Sequence, residues 1–135
     1  MESLQFLLDT NIVSHLILHP QGIVRDRIAQ VGEQTVCVSL LVAAELRFGA
    51  AKKNSARLTR QVEAVLSILP ILPRETPVDA HYAEIRVELE TSGNPIGPND
   101  LIIAAHARAL SLTLVTHNLV EFSRVPGLLV QNWLG

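Results

Sequence analysis

A single cysteine stands in this chain of 135 residues, Cys37 in the apolar stretch TVCVS. One thiol cannot form an internal disulfide, so the sequence predicts a home in a reducing compartment, the cytoplasm. Its apolar setting makes Cys37 core filler rather than a nucleophile. Charge is scarce as well, at 18% of residues against about 25% in an ordinary soluble domain. The longest apolar runs, Leu40–Ala44 and Leu101–Ala105, fall far short of the ~18 residues that suggest a membrane span. The amino terminus has neither the basic start nor the cleavage site of a signal peptide. Repeats, low-complexity tracts and linkers are absent too, which predicts one domain over residues 1–135.

Apolar residues are abundant, at 48%. A small domain this rich in them is expected to hide some against a partner, either a second copy or another chain. The net charge of −2 does not advertise nucleic-acid binding. Its distribution says more. No acid lies between Glu45 and Glu63, whereas Arg47, Lys52, Lys53, Arg57 and Arg60 all do. Such a segment is either a solvated helix face or a patch that contacts phosphates.

Periodicity divides the chain into short strands and longer helices. Strands are predicted at Leu4–Leu8, Thr35–Ser39, Leu112–Thr116 and Leu128–Trp133, with a brief one at Ile71–Leu72 between prolines. Helices are predicted over Asn11–Leu18, Ile23–Val31, Leu40–Lys53 (capped by Ser39), Ser55–Leu69, Val78–Thr91 and Asn99–Ala109. Strands that are apolar on both faces and separated by helices describe a parallel sheet between helical layers.

In such a sheet, ligands gather at the carboxyl ends of the strands. Asp9 follows the first strand, and Asn118 in VTHN follows the strand ending at Thr116. Glu45 lies about a turn and a half into the helix after the second strand. Asp100 opens the helix after the NPIGP loop. Taken singly, Asp9 and Asp100 read as helix caps and Asn118 as a turn residue. Glu45 resists such a reading, because it sits inside the apolar LLVAAEL, where a lone carboxylate is costly.

Taken jointly, crowded carboxylates repel one another unless a cation sits among them. No cysteine or histidine cluster accompanies them, so the ligands would be oxygens, suited to Mg²⁺ or Mn²⁺ rather than zinc. His15, His19, His81, His106 and His117 show no metal-ligand spacing; they read as surface or filler, with only His117 near the proposed site. The basic segment starts directly after Glu45, so a polyanion's backbone could lie beside the ion. These residues point to a metal-dependent phosphodiesterase acting on nucleic acid.

LLDTN, AAELRFGA, PIGPNDLIIAAHA, LVTHNLVEF and VPGLLVQNW occur in this order, and with them the chain resembles the PIN-domain ribonucleases, above all the VapC toxins of bacterial toxin–antitoxin pairs. The likeness runs from the first strand to Trp133. It implies an α/β three-layer sandwich, a central parallel sheet with helices on both faces, and an acidic pocket for Mg²⁺ or Mn²⁺. It further implies cleavage of RNA, often tRNA and recurrently the initiator tRNA, leaving 5′-phosphate and 3′-hydroxyl ends. Asp9, Glu45 and Asp100 match the family's three acidic positions: Asp9 and Asp100 as metal ligands, and Glu45 as a further ligand or proton acceptor. The fourth position, aspartate in many relatives, is Asn118; its amide can join a hydrogen-bond network but brings no charge. Arg47, Lys52 and Lys53 are the candidate substrate contacts. Arg86 reads either as a phosphate contact or as the partner of Glu88 or Glu90. The resemblance also implies a homodimer and silencing by a cognate VapB-like antitoxin, through which operator DNA is reached.

Two other readings compete. One is a catalytically weak component that acts mainly in a DNA-binding autoregulatory complex, with Asn118 as the sign of weakened catalysis. The other is a small-molecule hydrolase with Asp9 as nucleophile. Its familiar α/β version carries an aspartate two residues later, where this chain has Asn11.

Overall fold

The computed structural model describes residues 3–72 and 77–134. Five short strands form one sheet: β1 (Phe6–Leu8), β2 (Val36–Ser39), β3 (Ile71–Leu72), β4 (Thr113–Val115) and β5 (Val130–Gln131). Their order is β3-β2-β1-β4-β5 and every neighbouring pair is parallel. Leu7 stands opposite Cys37 on one side and Leu114 on the other, while Val38 pairs with Ile71 and Leu114 with Val130. Leu7, Leu8, Val36, Cys37, Val38, Leu114 and Val115 are wholly buried, as the two-sided apolar strands predict. The Cys37 Sγ–H donates to the Phe6 carbonyl, and burial pushes its thiol up to about 12, which makes it the inert core residue expected.

The helices are α1 (Thr10–Leu18), α2 (Ile23–Val31), α3 (Leu40–Lys53), α4 (Ala56–Leu66), α5 (Val78–Thr91), α6 (Pro98–Ala109) and the four-residue α7 (Leu119–Phe122). The steps from β1 to β2 to β3 all move the same way across the sheet. Right-handed crossovers therefore stack α1–α4 on one face, where α1 packs against α2, α3 and α4. The return from β3 to β4 runs the opposite way and carries α5 and α6, packed on each other, to the second face. The three-layer α/β sandwich is thus as expected.

Boundaries differ modestly. β1 starts at Phe6 rather than Leu4, and β5 keeps only Val130–Gln131 of the predicted Leu128–Trp133. Trp133 is instead a core plug, its ring 5.3 Å from that of Phe6 and its indole N–H donating to Gln131 Oε1. The α4 helix ends at Leu66 instead of Leu69, and α6 begins one residue early, with Pro98 in its first turn where a missing N–H costs nothing. A turn of 3₁₀ helix at Glu33–Thr35 and the short α7 are additions. Pro73, the second of the two prolines around β3, lies outside the described residues.

Two features of this topology place the chemistry. The strand order reverses between β1 and β4, and the carboxyl ends of these neighbours open a crevice. Ser39 Oγ accepts from the Val42 N–H at 3.1 Å and so fixes the start of α3, which delivers Glu45 to that crevice.

Candidate active site

Asp9 leaves β1 with its backbone N–H still bonded to the Val115 carbonyl, as though the sheet ran one residue further. The residue is 4% exposed, and a carboxylate buried against a core strand needs a donor for every lone pair facing the protein. Oδ1 accepts from the Thr10 N–H at 2.8 Å, capping α1, and Oδ2 accepts from Thr116 Oγ1 at 2.8 Å. Burial nonetheless wins and raises the Asp9 pKa, opposed by these two bonds and assisted by the charge of Glu121. Capping and a site role are compatible here, because the cap holds the carboxylate at the crevice.

Glu45 is fastened from the other side. Thr10 Oγ1 donates to its Oε2 at 3.0 Å, while its Oε1 is buried without a hydrogen-bond partner. A partnerless carboxylate oxygen in a buried position calls for a proton or a cation.

Asp100 lies in the first turn of α6, but Gly97 takes the cap position. Its carboxyl is pushed up to about 7. Burial is the main cause, followed by a hydrogen bond with Glu121 and then the charges of Glu121, Asp9 and Glu45. One cavity of about 590 Å³ is lined by Asp9, Thr10, Asn11, Glu45, Asp100 and Asn118, together with His15, His19 and Leu134. The four residues that the sequence singles out therefore come together, from positions up to 109 residues apart in the chain.

Asn118 lies at the rim, exposed, its backbone N–H donating to Thr116 Oγ1. Thr116 thereby ties the β4 end to both Asp9 and Asn118. Asn11 Oδ1 accepts from the His117 N–H and braces the same loop.

Sequence reasoning passed over Glu121. It sits on α7, accepts from the Gly97 N–H at 3.4 Å and bonds Asp100, adding a fourth acid beside the cavity. The signal was a lone charge inside LVEF, three residues after Asn118, the spacing of one helical turn. Of the histidines, His15 and His19 line the cavity, which was not expected of them, while His117 is exposed next to it, its N–H on Asn11.

The basic segment divides. Arg47 forms a two-pronged ion pair with Glu63 across α3 and α4, exposed to solvent. Lys52 and Lys53 are exposed in the last turn of α3, where they suit the helix dipole. Lys53 also lines a neighbouring cleft of about 190 Å³ with Ile17, Leu18, Leu46, Leu58 and Val62. Arg86 pairs with Glu90 and donates to the Tyr82 hydroxyl.

A family model described as "PIN domain" matches residues 6–128. The chain belongs to the PIN-domain family. Curated relatives of this PIN-domain chain include Ribonuclease VapC2 of Rickettsia felis, 38% identical over 130 residues that cover 95% of this chain and 97% of the relative. The tRNA(fMet)-specific endonuclease VapC of Salmonella typhimurium is 37% identical over 131 residues, 96% of this chain and 98% of the other. Among solved structures, VapBC2 from Rickettsia felis bound to a DNA fragment from its promoter superposes with a TM-score of 0.90 at 35% identity, covering 96% of this chain and 99% of that one. The expected family and fold are both borne out.

PIN-domain ribonucleases are generally dependent on a divalent metal. Among the described residues, no three histidine, cysteine or acidic side chains stand close enough together to hold an ion directly. The arrangement still fits a hard, well-hydrated cation better than zinc. Mg²⁺ keeps several waters and takes only one or two carboxylates, and the donors here are oxygens with one of them partnerless.

Proposed function

We propose that this PIN-domain chain is a single-domain endoribonuclease over residues 1–135, the toxin of a type II toxin–antitoxin pair, dependent on Mg²⁺ or Mn²⁺. The observation that carries the reading is the convergence of Asp9, Glu45 and Asp100 on one cavity, with Glu45 Oε1 partnerless and Asp100 pushed up to about 7. The names of the relatives, ribonuclease and tRNA(fMet)-specific endonuclease, support RNA as substrate, with initiator tRNA as the specific target. The VapBC complexes among the similar structures support a VapB-like antitoxin as partner, with operator DNA reached through it. A homodimer and a cytoplasmic location complete the proposal. No helix among the described residues is long and apolar enough to cross a membrane.

In this reading Asp9 and Asp100 would hold the ion, directly or through water, with Glu45 beside it. The bound cation would supply polarisation of the scissile phosphate and a more acidic water. The chain's own residues do the positioning. Thr116 and the Thr10 N–H fix the two oxygens of Asp9, and Thr10 Oγ1 aims Glu45. Glu45 Oε1, free of protein donors, is available to take a proton from the attacking water. Asn118 offers an uncharged amide at the rim, and Lys53, with the exposed Lys52 beside it, forms a basic approach for the RNA backbone, to which Arg47 would contribute only by leaving Glu63.

The test uses purified protein freed of antitoxin and incubated with bulk tRNA. Discrete fragments are expected with Mg²⁺ and none with EDTA, and Asp9→Ala or Asp100→Ala should lower the rate at least about a hundredfold. Undiminished cleavage by either variant removes the site. The promoter-bound relative favours a second role in autoregulation. A protein inert toward RNA, yet binding operator DNA with its antitoxin, would make that role the main one.

A further inference from the structure

The cavity lining is of two kinds: the acids Asp9, Glu45 and Asp100, and a less polar set, His15, His19, Leu18 and Leu134. His15 lies in the last turn of α1 and His19 is the residue that caps its end, and their ring centroids stand 4.6 Å apart with planes inclined by 40°. His15 Nδ1 is buried with no hydrogen-bond partner. The rings are held from behind by the turn after α1, where the Gly22 N–H donates to the His19 carbonyl. Gly22 is bare for a reason: a Cβ there would lie 3.0 Å from His19 Cβ and 3.2 Å from His15 Cε1.

Two neighbouring, mutually tilted rings beside aliphatic side chains offer a flat ring face to a nucleobase. Sequence-tolerant binding of single-stranded RNA rests on such aromatic platforms, histidine included. A cavity of about 590 Å³ is in the range of small-ligand pockets and has room for a nucleotide. A phosphate at the acids has its attached base within reach of the histidines, since both line the same cavity. We propose that His15 and His19 form a stacking platform for the base next to the scissile phosphate, which sets where single-stranded RNA is cut. This inference rests on the ribonuclease reading above.

The test uses a short single-stranded RNA that spans a cleavage site mapped on bulk tRNA, and copies with an abasic residue on either side of the scissile bond. His19→Ala, whose side chain is exposed, and the double variant His15→Ala/His19→Ala are compared with wild type at saturating Mg²⁺. The double variant should raise KM about tenfold with kcat within a factor of two, and His15→Phe/His19→Phe should recover most of the loss. One abasic RNA should weaken wild type by the same factor and the double alanine variant no further. His19→Ala alone should show part of the effect, which guards against a folding defect in the double variant. Equal KM for wild type and both alanine variants, or equal losses on intact and abasic RNA, overturns the platform. If wild type cleaves no RNA, the ribonuclease reading fails first; if it cleaves without sensitivity to either abasic residue, only the platform fails.

Discussion

Asp100 shows how a site can be costly to its own fold. Its carboxyl sits near pH 7 rather than at the ordinary 3.8, chiefly through burial and then through Glu121. Between these values the folded metal-free chain holds a proton that the unfolded chain has released. Stability therefore falls as pH rises from about 4 to about 7. Asp100→Asn imitates the neutral form and removes the penalty. Thermal melts in EDTA should show this variant a few degrees above wild type at pH 8, with the gap closing toward pH 4. Added Mg²⁺ should raise wild type more than the variant. Thr116 has the opposite character, because its hydroxyl supports both Asp9 and the Asn118 N–H. Thr116→Val strips a buried carboxylate of a donor and should cost about 1–3 kcal/mol in urea denaturation, with slower RNA cleavage. The sequence shows Asp9, Glu45, Asp100 and Asn118 because each interrupts an apolar pattern or ends a strand. It hides His15 and His19, since nothing in their spacing at the end of α1 tells what they look toward.

Elements carry these residues with different reliability. α3 is anchored by the Ser39 cap and brings Glu45 to the crevice together with the apolar Val42, Ala43 and Leu46, all buried. Ser39→Ala should cost about 1 kcal/mol by chemical denaturation, while the packing of α3 keeps Glu45 in place and cleavage intact. The long helices and the buried strands were legible from the sequence because their hydrophobic period repeats several times. α7 was not, since four residues give no period to read and its existence depends on tertiary contacts, including those with β5. Missing α7 meant missing Glu121, whose link to Asp100 only the folded chain reveals. β5 was drawn too long for a related reason: LLVQNW reads as a continuous strand, yet Trp133 turns inward to cover Phe6.

For the molecule as a whole, the parallel order β3-β2-β1-β4-β5 brings the ends of β1 and β4 together, and the acids follow. A cleft between α1, α3 and α4 adjoins the acidic cavity, with Leu18 64% exposed beside it. A partner covering this cleft would reach the acids as well, since Thr10, Ser14 and Glu45 line both. The central claim is that Asp9 and Asp100, brought from remote positions to one cavity, serve a single divalent ion, directly or through water. Titration of the metal-free protein with Mn²⁺, following the spin-resonance signal of the free ion, measures this directly. The account predicts saturable binding by wild type that weakens at least about tenfold in both Asp9→Ala and Asp100→Ala. Unchanged Mn²⁺ binding in those two folded variants would contradict it.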